Sequence, residues 1–138
     1  MQNPITVQVQ VNRPINQVWQ YWTLPEHIIG WNFASDDWHS PHATNDLQVN
    51  GRFAFEMAAK DGSFSFTFSG LYTEIIPEHK IVYTLDDNRK VEVHFATTEQ
   101  GTLITEHFEA EQMNTRERQQ FGWQCILDNC KRYCEQQS

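Results

Sequence analysis

Between Gly51 and Glu109 the chain alternates apolar and polar residues with a period of two. Phe53, Phe55 and Met57 alternate with Ala54, Glu56 and Ala58, and Phe64, Phe66 and Phe68 alternate with Ser65, Thr67 and Ser69. Successive side chains of a strand point to opposite faces, so each run has one greasy face and one wet face. Turn residues separate the runs: Lys60-Asp61-Gly62, Pro77-Glu78, Asp86-Asp87-Asn88 and Glu99-Gln100-Gly101. These connections are too short for parallel crossovers, so the strands form an antiparallel meander. The runs read as strands over 53–58, 64–75, 80–85, 90–97 and 102–109, with Gly70 as a bulge in the second.

The flanking segments supply the remaining elements. Ile5, Val7, Val9 and Val11 alternate with Thr6, Gln8 and Gln10, which predicts a first strand. Pro14 opens a helical pattern of Ile15, Val18, Trp19 and Trp22, and Pro25 opens a second short helix. Residues 32–50 read as a long connection with a short strand near Asn45–Val49. At the other end, Asn114 and Glu117 have the spacing of a capping box, with Asn114 as N-cap. The long helix that follows carries Trp123, Ile126, Leu127, Cys130 and Cys134 on one stripe. The fold class is therefore α+β: a strand, two small helices, a six-stranded meander and a long helix, with residues 1–138 forming one domain.

A sheet of seven strands is about 30 Å wide, and a helix about 10 Å across covers only part of it. The sheet must curl around the helix, and the small helices and the 32–50 loop must close the rest. Two outcomes follow: a dry aromatic core, the usual state of protein interiors, or a pocket between sheet and helix. Residues placed to contact a ligand in such a pocket are Trp22, Trp31, Phe33, Trp38, Phe53, Phe55, Phe66, Phe68, Tyr83, Phe95, Phe121 and Trp123.

Charge narrows the function classes. Ten Lys and Arg against eighteen Asp and Glu give −8, which opposes nucleic-acid binding and docking on an anionic membrane. No apolar run approaches the ~20 residues of a spanning helix, and the N-terminus lacks the pattern of a signal peptide. Cys125, Cys130 and Cys134 are an odd set crowded onto one helix, not a disulfide framework, which points to a reducing cytoplasm.

Polar candidates for chemistry are few. Asp36-Asp37-Trp38-His39-Ser40-Pro41-His42 is the densest cluster, and Asp37 with His39 could act as an acid/base pair or orient a ligand. The same loop could equally be a solvated connection tied down by Trp38. His39-x-x-His42 with an adjacent Asp is not diagnostic of a metal, and no metal site is assigned. Glu106 and His107 are neighbours on a strand, so only one of them faces inward. The choice depends on whether Ile104 and Phe108, or Leu103 and Thr105, face the core. No phosphate-cradling loop, Gly-x-Ser-x-Gly elbow or His-Glu-x-x-His motif is present, and no cofactor is assigned.

The order of elements carries a resemblance. Pro14-Ile15-Asn16-Gln17-Val18-Trp19, Pro25-Glu26-His27, Trp31-Asn32, Asp46-Leu47-Gln48-Val49-Asn50-Gly51-Arg52-Phe53, Gly70-Leu71-Tyr72 and Gly122-Trp123 follow one another from end to end. In this the chain resembles the START-like (SRPBCC) superfamily, in the branch that shares the C-terminal domain of the activator of Hsp90 ATPase (AHSA1-like). It departs from that pattern at Asn50-Gly51, where Gly-Gly is common, and at Cys130 and Cys134, where bulkier apolar residues often sit. The resemblance implies a helix-grip (START/Bet v1-like) fold around a hydrophobic cavity, but it does not specify a function.

The expected role is binding of a hydrophobic or aromatic small molecule. The alternatives are a cyclase- or hydrolase-type enzyme using the same pocket, and a chaperone-interacting module like the family's namesake. A homodimer is compatible with the sequence, but no feature demands one.

Overall fold

The computed structural model describes all residues except Gln2 and Ser138. Strand β1 (Ile5–Val11) leads into helices α1 (Ile15–Thr23) and α2 (Pro25–Ile28). Two short strands, β2 (Trp38–His39) and β3 (Ala43–Asn45), precede the meander of β4 (Arg52–Ala59), β5 (Ser65–Ile76), β6 (Lys80–Leu85), β7 (Lys90–Thr98) and β8 (Gly101–Phe108). Helix α3 (Arg116–Gln136) closes the chain. The strands form one curved antiparallel sheet in the order β1-β8-β7-β6-β5-β4-β2, with β3 also paired to β4. The main path thus has the expected seven strands, and the eighth is a three-residue addition at one edge.

The alternation fixes which face is buried. On β8, Thr102, Ile104, Glu106 and Phe108 are buried, while Leu103, Thr105 and His107 are only half-buried. Cross-strand rows continue that face: Ile81, Val93, Glu106 and Val7 lie side by side on β6, β7, β8 and β1. Tyr83, Val91, Phe108 and Ile5 form the next row.

Helix α3 runs along this face, and its Leu127, Cys130 and Cys134 are fully buried. The Trp123 ring stacks on Phe108 with centroids 3.8 Å apart and planes 9° apart. At the other side α1 lays Trp19 and Trp22 edge-on against Phe95, at 5.3 Å and 5.6 Å.

Four sequence expectations are corrected. The bulge falls between Tyr72 and Glu74, not at Gly70. Tyr72 pairs with Tyr83 and Ile75 with Ile81, so one extra residue is needed to keep Tyr72 and Ile75 on the same face. Gly70 continues the regular ladder, where a Cβ would sit 2.5 Å from the Thr84 carbonyl oxygen and 3.1 Å from the Phe53 ring.

The strand expected near Asn45–Val49 ends at Asn45. Asp46 to Gly51 turns instead, with Asn50 at φ 70° and the Gly51 N–H donating to the Gln48 carbonyl at 2.8 Å. The N-cap of α3 is Thr115, whose hydroxyl accepts the Arg118 N–H at 3.1 Å. Asn114 stands one residue outside the helix. Pro14 is likewise the N-cap of α1 and not its first turn, its carbonyl accepting the N–H groups of Gln17 and Val18.

Gly101 opens β8 at φ 147°, and a Cβ there would lie 2.3 Å from the Val11 carbonyl oxygen. Gly101→Ala is therefore expected to cost about 1–3 kcal/mol, from backbone strain and the forced separation of β1 and β8. A thermal midpoint equal to that of the parent protein would contradict this close approach.

Candidate functional site

The face between sheet and α3 is not filled. A cavity of about 440 Å³ lies there, within the range of small-molecule sites and far larger than the void one water needs. Strand register builds its aromatic wall. Phe55 pairs with Phe68, Met57 with Phe66 and Tyr72 with Tyr83, and all six side chains line the cavity. Phe53 stands behind Gly70, its ring 4.9 Å from those of Phe55 and Tyr83. Trp22, Trp31 and Asn32 close one side, and Gly122, Trp123 and Ile126 of α3 close another. A Cβ built on Gly122 would meet nothing within 4 Å. The glycine costs the helix about 1 kcal/mol relative to alanine, and what it leaves is open volume, not a close contact.

The segment around Trp31 is held in place by hydrogen bonds to fixed elements. The Trp31 indole N–H donates to the Tyr21 carbonyl at 3.0 Å. The Asn129 amide of α3 donates to the carbonyls of Trp31 and Phe33 at 3.0 Å and 3.3 Å. Tyr72 donates its hydroxyl to Asn45 at 2.6 Å, and Asn45 donates in turn to the Thr23 carbonyl at 2.7 Å. The polar residues Arg89, Glu111, Asn114, Arg118 and Gln119 also line the cavity. Glu111 accepts the backbone N–H groups of Met113 and Asn114, Gln119 ties the same loop to α3, and Arg89 pairs with Asp87 at 2.7 Å.

Glu106 differs from Glu111, Gln119 and Arg89, whose side chains are paired. It is 6% exposed, lines the cavity, and makes no side-chain hydrogen bond or ion pair among the described residues. Burial without a partner pushes its carboxyl up from 4.5 to about 8. Burial also holds the Tyr83 hydroxyl well above its ordinary value, with the nearby Glu106 adding to the effect.

The residues expected at a site divide as follows. Trp22, Trp31, Phe53, Phe55, Phe66, Phe68, Tyr83 and Trp123 come together around the cavity, and so does Glu106. Phe95 is buried beneath Trp19 and Trp22, outside the wall. Trp38 packs on Phe64 and Phe66 at 6.0 Å and 5.9 Å without lining the cavity, and Phe33 does not line it either. Phe121 is 73% exposed, because its position on α3 points away from the buried stripe.

Asp37 and His39 lie outside the cavity, so the polar loop contributes no acid/base pair there. Asp37 uses its carbonyl to accept the Lys60 N–H at 2.8 Å, while His39 Nδ1 is buried without a partner. His107 faces outward, its Nδ1 2.8 Å from the Thr6 hydroxyl and its ring 5.5 Å from that of His94.

Sequence reasoning did not place Asn32, Met57, Tyr72, Ile81, Arg89 or Ile126 in the wall, nor Glu111 and Asn114 of the loop before α3 or Arg118 and Gln119 at its start. Strand parity carried the signal for Met57 and Ile81. Tyr72 was hidden by the misplaced bulge, and no local pattern marks the loop.

Comparison with known proteins accords with this architecture. The family profile of Activator of Hsp90 ATPase homolog 1-like protein matches residues 12–135. The solution structure of the AHSA1-like protein from Aeromonas hydrophila is 44% identical, with a TM-score of 0.91 over 96% of this chain and 92% of that one. A Cytophaga hutchinsonii protein of known solution structure is 49% identical, with a TM-score of 0.83 over the same shares of the two chains. A crystal structure of a Nitrosomonas europaea protein shares the fold at 20% identity and a TM-score of 0.82, over 98% of this chain and 96% of that one. No curated protein matches the sequence. With a profile match over nearly its whole length and two close structural relatives, the chain belongs to the Activator of Hsp90 ATPase homolog 1-like family.

Proposed function

We propose that this protein binds an apolar, aromatic-bearing small molecule in the cavity between the sheet and α3. The observation that carries the reading is a 440 Å³ space walled by aromatic rings with one unpartnered carboxyl facing into it. Each Å² of apolar ligand surface buried there contributes about 25 cal/mol. The rings are held by register and by the Asn45, Asn129 and Tyr21 hydrogen bonds, so little ordering cost falls on binding.

Gly122→Trp tests the reading, because Gly122 lines the cavity and a Cβ there meets nothing within 4 Å, so a larger side chain starts out into open volume. The parent protein is expected to bind the uncharged fluorescent probe N-phenyl-1-naphthylamine at one site. Gly122→Trp is expected to keep the parent's circular dichroism and to bind the probe at least tenfold more weakly. Equal affinity in the two proteins would reject the cavity as the binding site.

A second reading, proton transfer to or from a bound substrate in a cyclase- or hydrolase-type reaction, is favoured by Glu106 alone. A carboxyl titrating at about 8 is an acid at neutral pH and is matched to general acid–base work. On that reading Glu106→Gln lowers turnover by about 10²-fold or more while leaving substrate affinity nearly intact.

A further inference from the structure

Three buried polar side chains of the cavity have no hydrogen-bond partner among the described residues: the Glu106 carboxyl, the Asn32 amide and the Tyr83 hydroxyl. Glu106 and Asn32 are each 6% exposed and Tyr83 is 7% exposed. None of their polar atoms is sealed within protein, so the little surface they retain faces the cavity. Buried polar groups in native proteins are nearly always paired, and groups left open toward a cavity are available to orient a ligand.

Resting on the binding reading above, we propose that the cavity selects an uncharged ligand with an apolar body and a hydrogen-bond-accepting oxygen, such as a ketone or ester carbonyl, and that Glu106 donates its carboxyl hydrogen to that oxygen. Asn32 and Tyr83 serve further polar atoms of the same ligand.

The alternative is an ionised Glu106 paired with a cationic amine. The surroundings oppose it. The row neighbours of Glu106 on β1, β6 and β7 are Val7, Ile81 and Val93, which give an ion pair no second hydrogen bond. The titratable groups that face Glu106 are Tyr83 from β6 and Cys130 from α3, and both are held neutral by burial. Beyond them, the charged groups lining the cavity are Arg118, Glu111 and an Arg89 already paired with Asp87, a balanced set that gives a cation no net attraction. A buried ion pair without supporting hydrogen bonds does not recover its desolvation cost. A neutral carboxyl giving one hydrogen to a neutral acceptor carries no such cost, and the rise of its titration to about 8 keeps it in that form at neutral pH.

The experiment compares three probes of one shape by calorimetry at pH 7 and pH 9: 2-acetylnaphthalene, 2-isopropenylnaphthalene, which replaces the carbonyl oxygen with a methylene, and 1-(2-naphthyl)ethylamine. The ketone is expected to bind at least tenfold tighter than the alkene at pH 7. It is expected to weaken about tenfold by pH 9, where the protonated fraction of Glu106 has fallen from about nine-tenths to about one-tenth. Glu106→Gln keeps an N–H donor and should hold the ketone with a flat pH profile, while Asn32→Ala lowers its affinity at both pH values.

Equal binding of ketone and alkene, tightest binding of the amine, or a pH profile that survives in Glu106→Gln would overturn this proposal and leave ligand binding standing. Failure of all three probes to bind would overturn both.

Discussion

Glu106→Gln is expected to stabilise the protein at pH 9 and to change it little at pH 5. The folded carboxyl titrates at about 8, against 4.5 for an ordinary glutamate. Between those values the folded state holds a proton that the unfolded chain has already released, so stability falls as pH rises through the window. The penalty is absent below about 4.5 and complete above about 8. One pH unit of displacement corresponds to about 1.4 kcal/mol, which puts the full penalty at up to about 5 kcal/mol. This is a large share of the roughly 5–15 kcal/mol by which a domain is stable at all. Glutamine fills the same space, keeps polar atoms toward the cavity and cannot ionise. Urea unfolding of the two proteins at pH 5 and pH 9 should show a stability difference that grows by several kcal/mol, since the other titrating groups are common to both. Parallel pH profiles would mean that Glu106 titrates normally, and both the donor role and the acid–base role would lose their basis. A stability cost borne at a group with no structural partner is the pattern expected where a fold keeps a polar residue for a ligand.

Phe108→Ala is expected to cost about 3–5 kcal/mol. The Phe108 ring is fully buried, between Ile5 of β1 and Val91 of β7 in its row and under the Trp123 indole stacked 3.8 Å above. Its removal takes away the aromatic stacking that ties Trp123 of α3 to β8, and it leaves empty volume in the buried face. Because α3 is covered from the sheet side mainly along β1, few neighbours can move in to fill the gap. Phe108→Leu, which keeps part of the volume, should cost about 1–1.5 kcal/mol. Denaturation midpoints measure both, and the loss of stacking on Trp123 should alter the tryptophan fluorescence of the folded protein. A cost below about 1 kcal/mol for the alanine variant would show that Trp123, Ile126 and Leu127 hold the helix without it.

The same two residues show what alternation can and cannot reveal. Parity on β8 made Glu106 and Phe108 partners on one face and placed His107 on the other, but two residues of evidence pointed each way in the sequence itself. Pairing of β8 between β1 and β7 decided it, because Val7 and Val93 are buried and lie level with Glu106. The aromatic wall was legible because it repeats every second residue in β4 and β5. Asp37 and His39, candidates for an acid/base pair, do not line the cavity, because their segment runs along the sheet edge and pairs with the end of β4. Glu111 and Asn114 of the loop before α3, and Arg118 and Gln119 in its first turns, follow no apolar periodicity, and only the placement of the start of α3 brings them to the cavity.

The amino-acid order by itself determined the strand and helix sequence, the greasy face of the sheet and the mismatch between its width and a single helix. Those follow from local rules: period, turn chemistry and capping act over a few residues. The tertiary structure alone decided that the mismatch is left as a cavity, that Glu106 is the carboxyl inside it and that Gly122 leaves the space open. Each of these depends on which distant side chains arrive at one place and how much volume they fill, and no short-range pattern encodes a sum of volumes.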